Sequence, residues 1–168
     1  MPLPAFISIG VSEMPNLGPR LLVIYDGRCG LCNRSIRWFL ARDRHDRLRF
    51  APSESPLVAG LLARHGFVAP AVTDGPGSIL VVLDAERPTE RLLLCSNAVL
   101  ALLRQLPQPW PPVAACLRLI PRPLRDLVYR LVARSRYRIW GRLDSCPIPT
   151  AAERSRFLES PPAPPKSC

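Results

Sequence analysis

Cys29-Gly30-Leu31-Cys32 places two thiols three residues apart. On the first turn of a helix that spacing brings the sulfurs within bridging reach. The unpaired N–H groups and partial positive charge of a helix N-terminus also favour a thiolate. The hydrophobic pattern distinguishes the two sulfurs. Cys32 shares a helical face with Ile36, Phe39 and Leu40 and should point inward. Cys29 sits at the turn and is expected nearer solvent, as the attacking thiol, with Cys32 as the resolving one. The same pair also reads as half of a zinc site or as a merely structural pair. Zinc needs further ligands, and Cys95, Cys116, Cys146 and Cys168 are isolated, with His45 and His65 far apart in sequence.

The pair must be held by what precedes and follows it. Residues 21–25 are a continuous apolar run closed by Asp26-Gly27, the pattern of a strand buried on both faces. Residues 31–42 read as a helix and 48–51 as a strand closed by Pro52. Residues 56–64 read as a helix stopped at Gly66. Runs at 78–83 and 91–95 suggest a hairpin, and 97–105 a helix. A Pro-rich bend over 107–112 leads to a short helix at 113–119. A last helix over 124–139 carries Leu124, Leu127, Val128, Leu131 and Val132 on one face. This order predicts an α/β domain: a mixed sheet flanked by helices, with a right-handed first crossover and a helical C-terminal extension.

The 168 residues suffice for one domain, expected over residues 20–158. Residues 1–19 read as a loose segment, and 159–168 as a Pro-rich disordered tail. No apolar run reaches the roughly 18 residues of a membrane span, and the first 18 residues lack the basic start of a signal peptide. A cytoplasmic location is therefore expected. The net charge is +10, concentrated after residue 84. No recognised nucleic-acid motif accompanies it, so nucleic acid is not an expected partner. Cys95 and Cys116 are expected in the core, His45 in solvent, and His65 at a helix C-terminus.

Asp26-Gly27-Arg28-Cys29-Gly30-Leu31-Cys32, preceded by Val23-Ile24-Tyr25, resembles the signature of the DCC family, named for its Asp-x-x-Cys-x-x-Cys motif. Further similarities are Arg49-Phe50-Ala51, Ser96-Asn97-Ala98, residues 120–126, Tyr137-Arg138, and Gly141-Arg142 through Asp144, Cys146 and Pro149. The resemblance implies a thioredoxin-like fold and thiol-disulfide oxidoreductase activity without a cofactor. Asp26 then has two physical roles open to it. It accepts a proton from Cys32 during exchange, or it caps the turn by accepting backbone N–H bonds. Its charge would raise a neighbouring thiol's pKa, and Arg28 would lower it. A thioredoxin-like fold also expects a cis-proline before a strand, for which Pro76 is the candidate, although an ordinary trans turn is favoured. Cys146 is open as a third exchanging thiol or a structural one.

The leading functional expectation is exchange with protein or low-molecular-weight thiol and disulfide substrates, with Cys29, Cys32 and Asp26 as the site. The rival is a non-catalytic binding module on a membrane or protein surface. Its motive is the last helix, where Arg125, Arg130, Arg134, Arg136 and Arg138 accompany the apolar stripe. The simpler reading of that helix buries the stripe and leaves the arginines wet.

Overall fold

A computed structural model describes residues 21–67, 79–85, 87–143, 150 and 153–158. Its elements are β1 (Leu21–Tyr25), α1 (Gly30–Leu40), β2 (Leu48–Pro52), α2 (Pro56–Arg64), β3 (Ile79–Leu83), β4 (Arg91–Leu94), α3 (Cys95–Gln105), α4 (Trp110–Leu119), α5 (Arg122–Trp140) and a 3₁₀ turn (Arg154–Arg156).

The four strands form one mixed sheet in the order β2-β1-β3-β4. β1 runs parallel to β2, with Val23 opposite Phe50, and antiparallel to β3, with Val23 opposite Val81. β3 and β4 form the expected antiparallel hairpin. Strand, helix, strand, helix, hairpin and helix around such a sheet is a thioredoxin-like α/β fold.

Alternate residues of β1 serve the two faces, as the pleat requires. Leu21, Val23 and Tyr25 join Cys32, Ile36 and Phe39 of α1 and Leu100, Leu102 and Leu103 of α3. Leu22 and Ile24 join Val58, Leu61 and Leu62 of α2. Burial on both faces explains why β1 has no polar alternation. α2 stops where expected. Gly66 has φ +73°, Phe67 N–H donates to Leu62 O, and Gly66 N–H donates to Ala63 O, a glycine-terminated Schellman cap.

Three sequence expectations shift. The Pro-rich bend is shorter than expected, because Pro111 and Pro112 begin α4, where a missing N–H costs nothing. α5 likewise starts at Arg122, with Pro123 in its first turn. Cys95 is not the end of a strand but the first residue of α3, with φ +53° at the strand-to-helix corner.

The third-layer helix α5 packs on α1 and α3. The apolar stripe expected to be buried is instead exposed at Leu124, Leu127, Val128, Leu131 and Val132. Asp126, Ala133 and Arg136 face inward.

Candidate active site

β1 ends at Tyr25, and from Asp26 the chain must turn sharply to enter α1. Asp26 Oδ1 accepts from Arg28 N–H at 2.9 Å, and Asp26 O accepts from Cys29 N–H at 3.3 Å. Asn33 closes the turn from inside the helix. Its Nδ2 donates to Gly27 O at 2.7 Å and to Cys29 O at 3.0 Å. The helix cap itself is Cys29, whose Sγ accepts from Cys32 N–H at 3.3 Å. Asp26 thus makes the turn-capping contact expected of it, three residues upstream of the helix cap.

Neither cysteine is in a disulfide. Cys32 lies inward as its helical face required, but Cys29 is not the exposed partner: it is 0% exposed and Cys32 1%. The cause is a segment far along the chain. Residues 141–143 pair with the motif through a Cys29–Arg142 bridge. Leu143 N–H donates to Arg28 O at 2.7 Å, and Gly30 N–H to Gly141 O at 3.4 Å. Gly30 permits this approach, because a Cβ there would meet Trp140 O at 2.3 Å.

The two sulfurs differ in acidity although both are buried. The Cys32 thiol hydrogen-bonds Cys29 and is the main cause holding Cys29 down, to about 7; burial opposes this, and Cys32 N–H adds to it. The Asp26 charge pushes Cys29 up and the Arg136 charge pulls it down. Cys32 moves far upward, because its proton is committed to Cys29, its site is buried, and Cys29 and Asp26 carry negative charge. The asymmetry therefore comes from hydrogen bonding between the thiols rather than from unequal exposure.

Behind the pair, α5 supplies partners that sequence reasoning missed. Tyr137 Oη donates a short hydrogen bond to Asp26 Oδ2. Arg136 Nη2 lies 3.5 Å from the same oxygen and 3.2 Å from Tyr137 Oη. The Arg136 guanidinium also stacks over the Tyr137 ring, 4.6 Å from its centroid. Burial and the bond to Asp26 push the Tyr137 phenol up, so it stays a donor. Arg136, expected on the wet face, is buried because Asp26 draws it in. Arg28, expected to supply the nearby positive charge, instead pairs with Glu54 at 3.1 Å on the surface. The Tyr137-Arg138 similarity was the available signal for Tyr137; Arg136 carried none.

The other candidates lie elsewhere. Cys95 is half-buried and Cys116 is exposed, so neither is the core residue expected. Cys116 sits on the outer side of α4, whose buried contact is Ala114. His45 is exposed, and His65 pairs with Glu90 at 2.6 Å just beyond α2. Pro76, Asp144, Cys146, Pro149 and Cys168 lie outside the described residues. Among the described residues, no three His, Cys, Asp or Glu side chains converge as metal ligands.

A thioredoxin-like fold with a vicinal dithiol at the start of its first helix defines the class of dithiol proteins. Within that class, the sequence model of DCC1-like thiol-disulfide oxidoreductases matches residues 23–142, and the chain belongs to this family. It is similar to the uncharacterized protein YuxK of Bacillus subtilis, 29% identical over 140 residues, 83% of this chain and 95% of that one. It is also similar to a chloroplastic DCC family protein of Arabidopsis thaliana, 32% identical over 129 residues, covering 77% and 70% of the two chains. No solved structure matches the chain significantly. Among the described residues, no helix is long and apolar enough to cross a membrane.

Proposed function

We propose that the chain exchanges disulfides with protein or low-molecular-weight thiol substrates in the cytoplasm, using Cys29 and Cys32 and no cofactor. One observation carries this reading: a buried thiol pair at a helix N-terminus in which Cys29 is held down to about 7 and Cys32 is pushed up.

The Cys29 thiolate attacks one sulfur of a substrate disulfide, forming a mixed disulfide and expelling the other sulfur as a thiolate. That bond removes the negative charge beside Cys32, and with it one cause of the raised Cys32 pKa. Asp26, close enough for its charge to act on both thiols, takes the Cys32 proton. Cys32 then attacks Cys29 Sγ and closes the Cys29–Cys32 disulfide. The second substrate thiolate leaves, and the proton passes to the departing sulfurs. The substrate gains two electrons and the protein pair loses two; a cellular thiol reverses the balance. Tyr137 and Arg136 hold Asp26 in place. Substrate reaches Cys29 only when residues 141–143 lift from the motif.

Trapping tests the order of attack. Cys32→Ser keeps the nucleophile and loses the group that releases the partner, so it should accumulate reducible adducts on non-reducing gels. Cys29→Ser should accumulate few. Equal trapping by both variants would refute the assigned roles. Absence of adducts from both, with the fold intact, would refute exchange itself.

A further inference from the structure

α5 is built inside out for a domain helix. Such a helix turns its apolar stripe to the core and its charges to water. Here the inward side carries Asp126 and Arg136, both buried, and Tyr129, whose hydroxyl accepts from Ile79 N–H at 3.1 Å. Leu124, Leu127, Val128 and Leu131 are each more than half exposed, and Val132 and Ile139 continue the stripe. The spacing i, i+3, i+4, i+7, i+8 keeps all but Ile139 in one unbroken line, and Ile139 returns to that face at the second-last residue of the helix.

The charge beside this stripe has one sign. Arg130, Arg134 and Arg138 follow one another every fourth residue, all exposed, and Arg118 and Arg122 are exposed at the start. Between residues 110 and 140 the only acidic residue is Asp126, and it is buried against Ser96. An apolar ridge lined by arginines suits an interface where hydrocarbon meets phosphate. Arginine stems lie along apolar surface while their planar heads pair with phosphate oxygens. A second copy would set arginines against arginines.

We propose that the outward face of α5 docks on a membrane leaflet rich in anionic lipid, with the apolar stripe inserted and the arginines on headgroup phosphates. The docking face lies opposite the residues that contact Asp26, so it is independent of the thiol chemistry.

The test is co-sedimentation of the reduced full chain with vesicles. Phosphatidylcholine containing about one third phosphatidylglycerol should bind at least about tenfold more tightly than phosphatidylcholine alone. Arg130→Gln with Arg134→Gln should weaken that binding by about 25-fold, at roughly fivefold per arginine. Leu127→Ser with Leu131→Ser should weaken it by at least about tenfold. Both pairs point outward, so their circular dichroism and dithiol titration should match the parent. Equal binding to both vesicles, or no loss in either variant, overturns the proposal. So does a failure to bind vesicles, including the case where the free chain is a dimer that the leucine variant dissociates.

Discussion

Cys29 is acidic for its surroundings because Cys32 spends both its thiol proton and its backbone N–H on it. Reactivity should therefore track the Cys29 thiolate, which is lost as pH falls. Alkylation of the reduced chain is expected at Cys29, with a midpoint near pH 7 and a rate falling about tenfold per pH unit below it. Cys32 should stay unlabelled there; peptide mapping across a pH series checks both. Asp26→Asn removes a charge that raises Cys29 and should move the midpoint down, whereas Arg136→Met should move it up. The arginine change also leaves Asp26 without its buried cation and should cost about 3 kcal/mol. Gly30→Ala forces a Cβ against Trp140 O. It should push residues 141–143 off the motif, lower Tm, and speed Cys29 alkylation. Slower alkylation in that variant would contradict shielding by this segment. Cys32 was legible as inward from its helical face, but the burial of Cys29 was not, since the covering segment lies more than a hundred residues away.

Between elements, Asp126 of α5 ties down the start of α3. Its Oδ1 accepts from Ser96 Oγ at 2.5 Å and Ser96 N–H at 3.2 Å. The Ser96 hydroxyl is the main cause holding this carboxyl below its usual range; burial opposes it and the Ser96 N–H and Arg122 reinforce it. A carboxylate at a helix N-terminus also meets the positive end of the helix dipole. Ser96→Ala should cost about 1–2 kcal/mol in chemical denaturation. The sign with pH follows from the lowered pKa. The Asp126 contribution is complete above the unfolded pKa near about 4 and disappears as pH falls through the lower folded value. The Tm gap between the parent and Asp126→Asn should therefore be widest near neutrality and close in acid. Residues 120–126 and Ser96-Asn97-Ala98 stood out in the sequence as separate similarities; this contact makes them one feature. No periodicity argument pairs a helix start with a carboxylate thirty residues later.

Across the whole molecule, the end of the described chain returns to its beginning. Phe157 stands edge-on to Tyr25, with ring centroids 6.4 Å apart, and lies 5.5 Å from Phe50. Leu158 N–H donates to Phe50 O at 2.8 Å, so the segment continues along β2. Arg156 adds contacts to Asp43 and Asp46 at 3.6 and 3.1 Å. Phe157→Ala should therefore destabilise the fold by about 2–3 kcal/mol, read as a lower denaturant midpoint with unchanged slope. An exposed aromatic near a chain end would cost almost nothing.

Local spacing determined the strands, the main helices, their α/β order and the inward Cys32, because each depends on residues within a few turns of one another; the thioredoxin-like fold was implied by the family resemblance. β1 was readable from five apolar residues in a row, and α1 from the recurrence of Cys32, Ile36 and Phe39. The tertiary structure decided which face of α5 is covered. Hydrophobic periodicity identifies an apolar stripe but not the side against which the helix docks. Asp26 and Asp126, each needing a buried partner from another element, reward turning the polar side of α5 inward. That choice brings Arg136 and Tyr137 to the dithiol and leaves Leu124, Leu127, Val128 and Leu131 facing out.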